Sequence, residues 1–306
     1  MHGRIRSVLG DISPKEFGPA LVHEHILVSH APAHDSENIK YDRDEVFEVM
    51  LPFLIEIRRL GVKGLAECST AYMGRDVIVL RRLSEASGIH ILTNTGFFLE
   101  PYIPKHVFRN SIDEIAEKWI YEIEKGIDGT EVRAGFIKIA LEPGRIEGVY
   151  EKIIRAAARC SISTGAVIAC HMESGKAAML VSDIIKEEGA ESNRLIFVHA
   201  DSEENLDYHL EAVKRGLWIE YDRISQQTSE RSLRLVRFIS EKGFEDQLLL
   251  SQDSGWYSIG QPRGGNIRGY SYLVKNFIPL MKKQGFNNDL IDKIMVDNPC
   301  RAFQIE

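Results

Sequence analysis

The stretch Pro19-Ala20-Leu21-Val22-His23-Glu24-His25 decides how this chain is read. Its first four residues form an apolar run. On a strand, residues two apart share a face, so His23 and His25 present their imidazoles side by side while Glu24 faces away. Taken alone, a His-x-His is more often a pair of solvated loop histidines than half of a metal site. The rest of the chain separates the two, because short apolar runs recur along it and an unusual number of them close on a polar side chain able to bind a metal.

Eight such runs are legible, at residues 19–23, 62–68, 89–95, 135–140, 166–171, 195–199, 217–222 and 248–253. Between them lie longer charged stretches with helical periodicity, at 42–60, 75–87, 111–126, 149–164, 175–189, 206–216 and 230–243, and a last helix is expected over 272–284. Strands alternating with helices imply parallel βαβ units. Eight units in about 250 residues is the count of a (β/α)8 TIM barrel. A doubly wound sheet is the alternative, but no G-x-G-x-x-G follows any of the strands. No linker, repeat or low-complexity tract divides residues 1–306, which are read as a single domain. Residues 1–17 suggest a short N-terminal hairpin, with Asp11-Ile12-Ser13-Pro14-Lys15 as turn material, that plugs the lower end of the barrel.

Composition narrows the function. A chain of 306 residues with 44% hydrophobic content can bury a large core, and a net charge of −7 without a cluster of Lys and Arg among aromatics argues against nucleic acid. Met1-His2-Gly3-Arg4-Ile5-Arg6 has no apolar segment behind its charges, and no run approaches the ~18 apolar residues of a membrane span. A cytoplasmic protein with no membrane partner is therefore expected. Cys68, Cys160, Cys170 and Cys300 have no C-x-x-C spacing and sit in apolar contexts, as reduced structural thiols do.

Barrel enzymes place their chemistry at the C-terminal ends of the strands. Here strand one ends in His23 and His25, strand five in His171, strand six in His199 and strand eight in Asp253. Lys138 lies inside strand four, Gly135-Phe136-Ile137-Lys138-Ile139-Ala140, where alternation sets it on one face with Phe136 and Ala140. A lysine in an apolar parallel strand is costly to bury unless paired or modified. It could form a Schiff base, or be carboxylated on its amine to give an anionic oxygen ligand that bridges two metals. Four histidines and Asp253 nearby favour the bridge.

The set His23, His25, Lys138, His171, His199 and Asp253 resembles the binuclear site of the phosphotriesterase family in the amidohydrolase superfamily. Glu142-Pro143-Gly144 after the lysine strand, Phe277-Ile278-Pro279 and Asn298-Pro299 are similar to the segments of its lactonases. By that likeness one metal takes His23, His25 and Asp253, a second takes His171 and His199, and N-carboxylated Lys138 bridges them. Two divalent ions are implied, Zn²⁺ first, with Co²⁺, Mn²⁺ or Fe²⁺ equally compatible with imidazole and oxygen ligands. A homodimer is also implied.

The chain departs from the lactonase pattern at Phe98, where many of those enzymes carry a tyrosine, and in a shorter eighth loop that is rich in Gly and Arg. That loop, with Tyr72-Met73-Gly74-Arg75, resembles the phosphotriesterase homology proteins and the sugar-phosphate lactonases. Arg223, Arg263 and Arg268 near the ends of strands seven and eight suit an anionic small-molecule substrate. The expected activity is hydrolysis of a sugar or sugar-phosphate lactone, with Asp253 moving the proton, Arg223 orienting the substrate, and phosphotriester hydrolysis as a side activity. Organophosphate triester or amide hydrolysis are alternatives on the same site. A metal-free Schiff-base aldolase leaves the four strand-end histidines unexplained, and a catalytically silent metal-retaining binding protein leaves Lys138 and Asp253 without a purpose. His30, His34 and His106 are read as surface loop residues.

Overall fold

The computed structural model describes residues 3–142 and 144–305, with the side chains of all but Ser36 and Glu37. Met1, His2 and Pro143 of the Glu142-Pro143-Gly144 motif lie outside the described residues, as does Glu306. The chain opens with a hairpin, β1 (Ile5–Ser7) and β2 (Gly10–Ile12), and a short helix α1 (Pro14–Phe17). Then come β3 (Ala20–Val28), α2 (Arg43–Arg59), β4 (Gly64–Glu67), α3 (Val77–Ser87), β5 (His90–Leu92), β6 (Asn94–Thr95), α4 (Ile112–Glu124), β7 (Phe136–Ala140) and α5 (Val149–Thr164). The order continues with β8 (Ile168–His171), α6 (Gly175–Glu187), β9 (Leu195–Val198), α7 (Leu206–Lys214), β10 (Trp218–Tyr221), α8 (Ser229–Glu241), β11 (Leu248–Leu250) and β12 (Ser254–Ser258). The helices α9 (Ile278–Lys283), α10 (Asn288–Asp292) and α11 (Asn298–Ala302) close the chain.

The helices begin where their first residues can satisfy free backbone N–H groups. Asp42 accepts from Asp44 at the start of α2, Asp76 from Ile78 and Val79 at α3, and Ser111 forms a reciprocal capping box with Glu114 at α4. Each such cap contributes about 1 kcal/mol.

Parallel ladders run β6-β7-β8-β9-β10-β11 and β12-β3-β4-β5. Thr93 alone separates β5 from β6, so the third barrel strand passes from one ladder to the other. Between β11 and β3 the closure is different. There the Asp253 N–H reaches the His23 carbonyl at 3.2 Å and the His23 N–H reaches Ser251 Oγ at 3.0 Å. The result is a (β/α)8 barrel with a seam between its first and eighth strands.

The barrel interior is filled by Ala20, Val22, Ala66, Leu92, Phe136, Val167, Ala169, Ile196, Val198 and Leu249. Its lower end is closed by three pieces rather than by the hairpin alone: Ile5 of β1, Phe17 of α1, and Phe303, whose ring packs on Phe17 and on Phe136. The expected hairpin turn is corrected. The chain reverses at Val8-Leu9, between β1 and β2, while Ser13 caps α1 and Pro14 occupies its first turn, where a missing N–H costs nothing.

Strand β3 extends past the polar residues that mark its end in the sequence, because Ile26, Leu27 and Val28 continue it and β12 pairs along it. Within it, Leu21 pairs with Leu65 but Glu24 with Glu67, three steps against two, which is a β-bulge. Without the bulge, Ala20 and Val22 pointing inward would turn His23 outward. The bulge resets the alternation and aims both histidines at the site.

Candidate metal centre

Four imidazoles gather at the C-terminal mouth. Ring centroids lie 5.5 Å apart for His23 and His25, 5.1 Å for His23 and His199, and 4.4 Å for His171 and His199. Asp253 Oδ1 lies 3.3 Å from His25 Nε2 and 3.9 Å from His23 Nε2. Two ligands bound at ~2.1 Å in tetrahedral geometry stand about 3.4 Å apart, so this trio has the spacing of a metal half-site. His171 Nδ1 and His199 Nε2 hold each other at 2.8 Å.

Lys138 is buried among these rings, with its positive charge acting on His23, His25 and His171. Its Nζ and Asp253 Oδ1 are buried without hydrogen-bond partners. Two orphaned polar atoms of this kind are expensive, and they sit where a metal and a modified lysine would satisfy both. The residues present therefore fit a metal centre.

Burial sets the ionisation of the cluster. Loss of hydration, reinforced by the Lys138 charge, pushes the His23 imidazole down to about 3. The same desolvation lowers His25, and with His199 lowers His171 to about 2. All three are neutral at pH 7, with a lone pair free for a metal. Asp253 moves the other way. Its burial opposes ionisation, but His25 and His23 outweigh that and hold the carboxyl below its ordinary range.

A layer of carboxylates and hydroxyls orients the rings. Glu220 Oε1 accepts from His23 Nδ1 at 2.7 Å, Asp222 Oδ1 from His199 Nδ1 at 2.6 Å, and Ser69 Oγ pairs with His25 Nδ1 at 2.9 Å. Binding at Nδ1 leaves Nε2 of each ring turned to the centre. Asp222 could itself join His23 and His199 around an ion. Both its oxygens are already engaged, Oδ2 accepting the His199 N–H at 3.0 Å, so it serves as the anchor of His199. Sequence reading missed Glu220, Asp222 and Ser69 as site residues. The signal available was Trp218-x-Glu220-x-Asp222, alternate positions of β10 and of the residue that follows it, with acids where an apolar barrel layer is expected.

The predicted arginines divide. Arg223 and Arg268 line one cavity of about 430 Å³ with Ser225, Gln227, Thr228, Gln252 and Asp253. Arg268 donates to the carbonyls of Gln252 at 3.0 Å and Asp253 at 3.3 Å, and Arg223 is paired with Glu173. Arg263 is not brought there: it is exposed, and its charge acts on Tyr257, whose hydroxyl bonds Glu45. Phe98 stands edge-on to His171, with centroids 5.2 Å apart.

A (β/α)8 barrel with clustered histidines and acids at its mouth defines a class of hydrolases. The profile of the phosphotriesterase family matches residues 3–303, and the chain belongs to that family, whose members depend on a binuclear metal centre. It is similar to the phosphotriesterase homology protein of Escherichia coli (28% identical, covering 94% of this chain and 98% of that one). It is also similar to the aryldialkylphosphatase of Saccharolobus solfataricus (29%, covering 95% and 96%) and to the N-acetyltaurine hydrolase of Homo sapiens (25%, covering 98% and 97%). The chain is a hydrolase of this family. No helix among the described residues is long and apolar enough to cross a membrane.

Proposed function

We propose that the protein hydrolyses a lactone of a sugar or sugar acid that carries an anionic group, using two divalent metal ions. The observation that carries this reading is the cavity whose lining Arg223 and Arg268 share with Asp253, the residue whose carboxylate meets His25 at 3.3 Å. His23, His25 and Asp253 would hold one ion, His171 and His199 the other, and N-carboxylated Lys138 both. Bound there, the ions supply Lewis-acid polarisation of the substrate oxygen and an activated water.

The chain's own residues do the remainder. Asp253, kept ionised by His25 and His23, takes the proton of the attacking water and passes it to the leaving alkoxide of the opened ring. Arg268, pinned across the end of β11 by two carbonyls, and Arg223 bind the anionic end of the substrate and so fix which carbon faces Asp253. Phe98 excludes water beside His171. A second reading, hydrolysis of an amide by the same residues, is supported by the likeness to the N-acetyltaurine hydrolases.

The test is a panel of neutral lactones, phosphorylated sugar lactones, N-acyl amides and phosphotriesters on metal-reconstituted protein, repeated with Arg268→Ala. A phosphorylated lactone should be the best substrate, and the variant should lose about tenfold or more in kcat/KM on it, the worth of a charge-assisted hydrogen bond, while a neutral lactone changes little. Equal losses on both would remove the anion site. Turnover of amides alone would favour the second reading.

A further inference from the structure

Trp256 touches both ends of the first metal trio. Its indole stacks on the His25 imidazole, with centroids 3.9 Å apart and planes 29° from parallel, and its Nε1–H donates to the Asp253 carbonyl at 3.0 Å. His25 belongs to β3, Asp253 lies between β11 and β12, and Trp256 is itself on β12, which pairs with β3 from Glu24 to Val28.

The backbone of Trp256 has φ +75°, a region that bulky residues avoid. Such a conformation costs about 1–3 kcal/mol and persists only where the surroundings over-determine it. Apolar burial does not explain it, because Trp256 is half-buried and belongs to neither apolar cluster of the described residues. The strand around it is built for close approach. A side chain on Gly255 would bring Cβ to 1.8 Å from the His25 carbonyl oxygen, and Gly255 exchanges backbone hydrogen bonds with Arg268 in both directions, at 2.8 and 3.1 Å. Asp253 itself has φ +49°.

We propose that Trp256 is a positioning residue that clamps His25 and Asp253 into one metal half-site across the barrel seam. Ser69 fixes Nδ1 of His25 and the indole fixes the plane of the ring, which together aim Nε2 at Asp253 Oδ1. The indole N–H holds the carbonyl of the left-handed turn that directs the Asp253 carboxylate inward. Among the described residues the ring and N–H contacts of Trp256 go to His25 and Asp253, while His171 ends β8 and His199 follows β9, so the effect of Trp256 falls on one of the two ions.

The inference rests on the metal-centre reading above, and the experiment separates the two. Metal-free protein is titrated with Co²⁺ and followed by elemental analysis and by tryptophan fluorescence, for the unaltered chain, Trp256→Phe, which keeps a stacking ring but loses the N–H, and Trp256→Leu, which loses both. The unaltered chain should bind two ions, and its emission should fall as the first half-site fills. Trp119 lies behind Phe97 and Trp218 toward the lower end of the barrel, so the quench should vanish in Trp256→Phe. Trp256→Leu should weaken one of the two sites by ~10-fold or more, as lost outer-shell partners do, and leave the other unchanged. Trp256→Phe should fall between, and kcat should drop with KM unchanged. Two ions bound with unaltered affinity in both variants, or both sites weakened equally, would overturn the assignment of Trp256 alone. An unaltered chain that binds no metal would overturn the metal centre and the assignment with it. If Trp256→Leu does not fold, Trp256→Phe and the quench of the unaltered chain decide the matter.

Discussion

The two halves of the proposed metal centre are built in different ways. His171 and His199 stand at the ends of β8 and β9, joined by a regular parallel ladder that runs from Ile168 and Leu195 to His171 and Val198. His23, His25 and Asp253 stand on either side of the seam, where side chains join β3 to β11 just before the β12–β3 ladder begins at Ser254 and Glu24. Ser251 Oγ donates to Glu24 at 2.8 Å, the Ser254 N–H donates to the other Glu24 oxygen at 2.7 Å, and Tyr270 Oη donates to the His25 carbonyl at 2.6 Å. A backbone ladder positions its ligands through bonds that every residue can make. A seam positions them through particular side chains, so single substitutions there should be felt by one half of the centre.

The strongest challenge to that comparison is Lys138, which the reading assigns to both halves. Lys138→Ala should cost roughly 10³-fold or more in kcat/KM, several kcal/mol at 1.36 per tenfold, and both metals should bind poorly. Added acetate or propionate should restore part of the activity by entering the gap as an oxygen ligand. Near-native turnover with two metals still bound would show that the halves need no bridge.

Asp253→Asn tests the seam half alone. The histidines should retain much of the metal, while loss of the proton acceptor lowers kcat by ~10²–10⁴. Metal content measured beside single-turnover rates checks this, and a rate unchanged under conditions where chemistry is limiting would remove Asp253 from the proton transfer.

A pair of smaller changes sharpens the contrast. Ser251→Ala removes the hydroxyl that links His23 to Glu24 and should cost about 1–3 kcal/mol of stability, with one metal bound more weakly. Ile196→Val, inside the barrel on the ladder strand β9, should cost about 0.5–1.5 kcal/mol and leave both metals bound. Denaturant melts and metal titrations of the two variants should differ in the metal result. If they lose metal alike, the seam is no more sensitive than the ladder.

The smallest effect concerns pH. Glu67, register partner of Glu24 on β4, is buried and accepts from the Ile26 N–H at 3.3 Å and the Ser69 N–H at 3.1 Å. Desolvation pushes its carboxyl from 4.5 to about 7. Because the folded value lies above the unfolded one, its contribution to stability is full below 4.5 and is lost as pH rises through about 7. Glu67→Gln should therefore flatten the decline of Tm between about pH 5 and 8 by a few degrees, leaving a slope from Glu24, which burial raises to about 8. A decline unchanged in the variant would show that Glu67 does not titrate there.

Helix α2 starts after Asp42 and α5 spans Val149–Thr164, as the helical periodicity of 42–60 and 149–164 predicts, because amphipathic spacing is local. Strand β12 was not legible. Ser254–Ser258 alternates weakly, carries Gly255 and Trp256 at positive φ, and owes its place in the sheet to pairing with β3, more than two hundred positions earlier in the chain. The loop arginines show the same limit: Arg263 and Arg268 have equal claims in sequence, and only the fold of the eighth loop brings Arg268 to Asp253 and turns Arg263 away.

The sequence by itself determined the barrel and put His23, His25, Lys138, His171, His199 and Asp253 forward as candidates on its strands and strand ends. Strand ends and side-chain alternation are read within a few residues of each position, and parallel strands in a barrel all end at the same mouth. The tertiary structure alone decided how those side chains are held. The bulge that turns His23 inward is a property of β3 against β4. Glu220 reaches His23 across 197 positions, and Trp256 reaches back to His25 over the seam. Such contacts depend on which strands become neighbours when the barrel closes, and no local pattern of residues encodes that.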